Sequence, residues 1–256
     1  MKLGRPRAAI SFFRILLVVL GSASIAWAAY ILPVMWAQSS LGRIAGHVIA
    51  SEWYKPELLA ALEPELRASE RIDACCPAAL KSVAYIRVRL AEQALADSDS
   101  GSIDTQLSTL DDSIRRSLAC SPTDAFLWVV LFWVESNRNG FRPTYLKFMQ
   151  LSYALGPNEG WIGAKRNRIA FGIFEQLPTE LAKTAVAEFG NLLDSGFFDD
   201  TVAIITGPGW RWRGLLLADL GSVAERNRQE FAKALYRLGY DVTVPGTAPR
   251  DPRPWD

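Results

Sequence analysis

The sequence predicts an all-α protein, with an N-terminal transmembrane helix followed by antiparallel helix pairs. Three observations carry this prediction. Ile15 to Trp36 is a run of 22 residues without a charge. Beyond it, apolar residues recur three and four apart, the spacing that lines one side of a helix. Proline and glycine then divide the chain into segments of helical length.

The apolar run is long enough to cross a bilayer, since about 20 such residues span the hydrocarbon core. Lys2, Arg5, Arg7 and Arg14 precede it without an acid. Cations flanking a span stay in the cytoplasm, so 1–14 is expected to be cytoplasmic, 15–36 transmembrane and the rest outside. The rival reading is a cleaved signal peptide, with Ala26-Trp27-Ala28 as a small-x-small cleavage pattern. A retained anchor is favoured because the apolar run continues through Tyr30, Ile31, Leu32, Val34, Met35 and Trp36. Aromatic rings such as Tyr30 and Trp36 also suit the far interface.

Four of the 28 cations precede the span, leaving 24 against 27 acids, a net of −3 for the body. That balance gives no basic surplus for nucleic acid. His47 is the sole histidine, which excludes a two-histidine metal site and disfavours a histidine triad. No metal or other cofactor is expected. Asp111-Asp112 and Asp199-Asp200 are read as a solvated helix face and a loop, since adjacent carboxylates do not face each other across a scissile bond. Cys75, Cys76 and Cys120 are expected to be reduced and packed. Should the compartment be oxidising, Cys120 would pair with one of the other two.

Residues 37–77 form a juxtamembrane helical segment. Leu41, Ile44, Val48 and Ile49 continue the helix from the anchor. A helix opened by Pro56 carries Leu58, Leu59, Leu62 and Leu66, and Pro64 should divide it. A break is expected at Asp73–Pro77. Residues 78–196 then form three helix pairs: 78–96 with 103–119, 122–138 with 143–155, and 159–175 with 178–194. The second helix places Ile103, Leu107, Leu110, Ile114 and Leu118 in one stripe. The third, capped by Ser121 with Pro122 in its first turn, is apolar nearly all round from Phe126 to Val134, which predicts burial between neighbours. Within 197–244, Phe197–Gly214 is read as irregular. A last helix follows, with a capping box at Ser222–Glu225, an inner face of Phe231, Leu235 and Leu238, and Gly239 past its end. Residues 245–256, with four prolines, form a flexible tail.

Trp128-x-x-Leu131, Gly140 at the inter-helix turn, Phe148 in the following helix and Pro157 at its close make the middle pair resemble a tetratricopeptide repeat. Ser117–Pro122 resembles the end of a preceding repeat. Phe132 stands where that family has glycine, Thr144 where it has alanine, Pro157 is one place late, and Gly163 aligns with Trp128. The resemblance implies a solenoid in which stacked pairs bury one another's apolar faces, and a groove that binds protein segments. Together with the anchor, the architecture is similar to that of anchored helical-repeat proteins accompanying bacterial cell-surface polysaccharide synthesis and export. The expected function is a non-enzymatic scaffold or adaptor in the bacterial inner membrane, with a periplasmic body holding another envelope protein.

The alternative is a carbohydrate-binding accessory or carbohydrate-active enzyme, with polysaccharide as partner. Its candidate site is Trp210, Arg211, Trp212 and Arg213, where flat aromatic faces alternate with cations. The competing expectation is that both tryptophans pack inward and both arginines face water. Lys165, Arg166 and Arg168 are read as a solvated face.

Overall fold

The computed structural model describes residues 7–49, 56–71, 75–97 and 100–247, and the elements among them are all helical. The chain divides into two compact units, Met1–Cys120 and Ser121–Asp256.

The first unit begins with α1 (Arg7–Ile49), one continuous helix of 43 residues. The expected anchor and juxtamembrane helix are therefore a single element. Within α1, Phe12–Tyr30 is a 19-residue stretch long and apolar enough to cross a membrane, and none of it is buried. The side chains of 33–40, Trp36 included, lie outside the described residues. Farther along, Leu41 and Ala45 are buried, where α1 packs on α4 (Pro77–Asp97).

Pro64 divides its segment as expected, giving α2 (Pro56–Ala60) and α3 (Glu63–Glu70) with Pro64 in the first turn of the latter. Leu59 and Leu66 are fully buried, but Leu58 faces outward. The expected break at Asp73–Pro77 lies partly outside the described residues. The following hairpin pairs α4 with α5 (Ser100–Cys120), whose Leu107, Leu110, Ile114 and Leu118 stripe is buried as the spacing predicts. Cys75 and Cys120 form a disulfide with Cα atoms 5.6 Å apart, closing the open end of this hairpin. This corrects the expectation of three reduced thiols, and only Cys76 remains free. The antiparallel hairpin brings its two ends together although they lie 45 residues apart.

The second unit opens with α6 (Ala125–Asn139) and α7 (Leu146–Leu155), then α8 (Gly160–Gly172) and α9 (Thr179–Asp194). α6 starts three residues later than the Ser121-Pro122 signal suggested. Asp124 caps it instead, its carboxylate accepting from the Phe126 and Leu127 N–H groups at 3.1 Å. α6 packs on α7, α8 on α9, and α6 on α8. Phe132, Met149, Ala170 and Ala185 form the core of this part.

The segment expected to be irregular contains α10 (Phe198–Thr206) and α11 (Arg213–Ala218), joined by a 3-10 turn at Trp210–Trp212. Asp199 and Asp200 therefore stand in the first turn of α10, where carboxylates suit the helix dipole, and not in a loop. The last helix, α12 (Glu225–Arg237), starts without the expected capping box. Ser222 is held in a 3-10 turn, and the Ala224 N–H instead donates to Asp194 Oδ1 at the end of α9, at 2.8 Å. Gly239, at φ +87°, ends the helix as expected. Tyr240 donates to the Leu235 carbonyl and Gly239 to that of Tyr236, closing a Schellman cap. Phe231 and Leu235 are buried, but Leu238 is 61% exposed, a correction to the inner face. Val244 is buried in the same core as Phe189 and Phe231, so the chain is packed up to the start of the proline-rich tail. Residues 248–256 of that tail lie outside the described residues.

Candidate functional site

The Trp210–Arg213 segment is a tight turn folded onto itself. Gly209 is required at its start, because a Cβ there would meet the Ile204 carbonyl at 2.8 Å. The Trp212 ring packs against Phe174 at 4.8 Å between centroids, and the Trp210 ring against Tyr240 at 5.2 Å. Each tryptophan also carries a cation from its own segment. The Arg213 guanidinium lies 4.6 Å from the Trp210 centroid and that of Arg211 5.4 Å from Trp212. Arg211 is ion-paired with Glu175. Both rings are half-buried and both arginines exposed. A recess of about 230 Å³ lies beside Trp212, lined by Phe174, Glu175, Gln176, Pro208 and Arg211. Each tryptophan ring therefore already has one aromatic neighbour and one cation against it.

A second constellation lies where α7, α8 and α9 meet, and here sequence reasoning failed. Arg166, read as solvated, is fully buried, while Arg168 is exposed and Lys165 half-buried. Its five guanidinium N–H groups all have acceptors. Nη1 donates to Ser152 O at 2.6 Å and to Ser152 Oγ at 3.0 Å, Nη2 to Gly156 O at 3.1 Å and to Glu188, and Nε to Glu188 Oε1 at 3.1 Å. The guanidinium carbon stands 4.0 Å from the Tyr153 ring centroid. Asn167 donates to the Ala185 carbonyl at 2.7 Å, tying α8 to α9 again.

Gly163 makes room for this arrangement, since a Cβ there would stand 3.1 Å from Glu188 Oε1. The departure from the repeat pattern at this position thus has a local cause. Burial raises the Glu188 carboxyl above its ordinary range and outweighs the opposing hydrogen bonds from Arg166 and Asn167. Burial, with the Glu188 carboxylate nearby, likewise pushes the Tyr153 phenol up, so it stays protonated.

Glu188 also lines a cleft of about 280 Å³ with Asn158, Glu159, Asn191 and Asp194. Its carboxylate is committed to Arg166, and Asp194 to the start of α12. The Arg166–Glu188 pair ties α8 to α9, and Asp194 ties the end of α9 to the start of α12. A sequence signal for them existed. Ile162, Arg166 and Ala170 are four apart, and Leu181, Ala185, Glu188 and Leu192 follow the inner stripe of α9. An opposite-charge pair on two facing apolar stripes marks a buried ion pair.

The first unit has its own buried arginine. Arg87 is 2% exposed and bridges Glu63 and Glu70, donating from Nε to Glu70 at 3.0 Å and from Nη2 to each carboxylate at 3.2 Å. Ser113 of α5 donates to Glu70 at 2.9 Å. Burial opposes ionisation of Glu63, but hydrogen bonds from Arg87 and Arg67 prevail and hold its carboxyl below the ordinary range. His47 is exposed on α1, and among the described residues no group of three or more His, Cys, Asp and Glu is placed to hold a metal.

No protein-family model, curated protein or solved structure matches the chain.

Proposed function

We propose that the protein is a non-enzymatic scaffold, anchored in the bacterial inner membrane by α1, whose helix pairs hold another envelope protein. The carrying observation is the junction of two features in one element. The first part of α1 is apolar, long enough to span a bilayer and wholly unburied, while its last part is packed into the helical body. A helix covered with apolar side chains and left bare needs lipid around it. The basic residues 1–14 face the cytoplasm in this reading, and the body is periplasmic. The Cys75–Cys120 disulfide supports that side, since such bridges persist in oxidising compartments.

The body is a tetratricopeptide-like stack in this reading. Support comes from the middle pair, where the motif aromatics Trp128 and Phe148 stack at 5.8 Å and Gly140 takes φ +71° at the turn. The packing of α6 on α8 follows the order expected of successive repeats. A place in cell-surface polysaccharide synthesis or export rests on the resemblance of the architecture alone. The glycan-binding alternative is less favoured, because both tryptophan rings already carry partners. Arg211 and Arg213 remain exposed as candidate contacts for an acidic partner surface.

In-cell crosslinking followed by purification, with the full chain and with a version secreted without residues 1–36, tests the scaffold. Recovery of one envelope protein in stoichiometric amount, reduced when the anchor is missing, is the expected result. Recovery of the intact chain alone overturns the reading. Retained polysaccharide that is lost in a Trp210→Ala/Trp212→Ala variant would move the assignment to glycan binding.

A further inference from the structure

We infer that the three cysteines form a thiol–disulfide exchange site, in which the bridge to Cys120 passes between Cys75 and Cys76. Cys75 and Cys120 are bridged, and Cys76, the next residue along the chain, carries a free and half-buried thiol. A disulfide is an electrophile, and a thiolate beside it is the nucleophile that exchanges with it. Cys76 therefore stands next to its own reaction partner.

Geometry decides which sulfur it can take. Consecutive Cα atoms stand about 3.8 Å apart, shorter than the roughly 4.4–6.8 Å that a disulfide spans, which disfavours a Cys75–Cys76 bridge. The Cα atoms of Cys75 and Cys120 are 5.6 Å apart, so that of Cys76 lies within about 9.4 Å of Cys120. A movement of at most about 3 Å brings Cys76 into bridging range. That movement falls on helix ends. α4 starts at Pro77, the Cys76 carbonyl accepts from the Ala79 and Leu80 N–H groups at 3.1 Å, and Cys120 is the last residue of α5. Helix ends open at far lower cost than the buried stripes between them.

In the exchange, the Cys76 thiolate attacks Cys120 Sγ. The new S–S bond forms as the bond to Cys75 breaks, and Cys75 leaves as a thiolate that takes up the proton Cys76 lost. Nothing is oxidised or reduced overall, so the step needs no outside oxidant. Either bridge closes the α4–α5 hairpin, but the free thiol changes place. Cys76 is half-buried, whereas Cys75 is exposed even while bridged. Exchange thus turns a sheltered thiol into one that an outside disulfide or alkylating reagent reaches.

The test is alkylation of the full chain in detergent, followed by proteolysis and fragment masses that separate Cys75 from Cys76. Uncatalysed disulfide rearrangement takes minutes to hours, so label on Cys75 should rise roughly tenfold between a pulse of about ten seconds and slow labelling over hours. Label confined to Cys76 at all times overturns the inference. A Cys75 share that grows with protein concentration also overturns it, in favour of exchange between chains. In Cys76→Ser, Cys75 should stay unlabelled throughout, and its labelling there would mean that the bridge opens by another route. Oxidised Cys75→Ser should close a Cys76–Cys120 bridge and leave no thiol to alkylate. Alkylation of both remaining cysteines, in a chain that keeps its helicity, would contradict the proposed reach of Cys76.

Discussion

Among the described residues each unit buries one arginine, and the two solve the same problem differently. In the first unit Arg87 faces two carboxylates that remain partly open to water, and the excess negative charge is tolerated because solvent still reaches it. In the second, Arg166 meets a single buried carboxylate and completes its hydrogen bonds with the carbonyls of Ser152 and Gly156. A buried ion pair gains specificity only when its remaining donors are satisfied, and backbone at a helix end is the nearest supply. The comparison teaches that exposure of the partner decides both the cost of breaking the pair and the sign of its response to acid.

The largest effect should follow from Arg166→Met. It strands a buried carboxylate and should cost roughly 3–5 kcal/mol, read as faster hydrogen exchange across α8 and α9 in the full chain. Adding Glu188→Leu should restore most of the loss, since a well-packed apolar pair replaces a buried ion pair at little net cost. Failure of the double variant to recover would mean that the pair also fixes the helix register. Cys120→Ser comes next. Opening the closed hairpin should cost about 2–4 kcal/mol, confined to α4 and α5 and reproduced by reducing the wild-type chain. Arg87→Met should cost about 2 kcal/mol, less than Arg166→Met, because water can screen the carboxylates left behind. Equal losses at Arg87 and Arg166 would contradict the role given to exposure.

The smallest effect is the most discriminating. Glu63 has a lowered carboxyl value when folded, so its contribution is present above the ordinary value of 4.5 and is lost as pH falls through the lowered one. Glu188 has a raised value, so the native state takes up a proton earlier and its contribution is lost as pH rises through the raised one. Acidification from pH 7 towards 4.5 should therefore stabilise α8–α9 and leave α3–α4 almost unchanged. Further acidification should weaken α3–α4. Hydrogen exchange measured helix by helix across this range checks both signs.

Much of the fold was legible because helical spacing is a local signal. The stripe of α5, the buried surface of α6 and the division at Pro64 need no knowledge of the rest of the chain. What was missed depends on distant partners. Asp194 takes over the cap of α12 from 30 residues away, leaving the Ser222–Glu225 box unused. The Cys75–Cys120 bridge, which the sequence offered only as the alternative for an oxidising compartment, depends on the α4–α5 hairpin bringing its ends together. α10 and α11 were hidden because Gly207, Pro208 and Gly209 lie between them and dominate a local reading. At the candidate site, the segment itself was found, but the partners of its tryptophans, Phe174 and Tyr240, come from other elements. Arg166 was misread because charge alone was taken to mean solvent, although its position on the inner stripe pointed inward.

The anchored scaffold is tested most directly by fractionating cells and measuring the intact mass of the protein that the membranes retain. A chain that keeps residues 1–36 and stays with the membrane after alkaline extraction is the predicted result, with an alkaline phosphatase fused after Asp256 active in the same cells. A shortened chain cleaved after Ala28 and released into the soluble fraction would contradict the account.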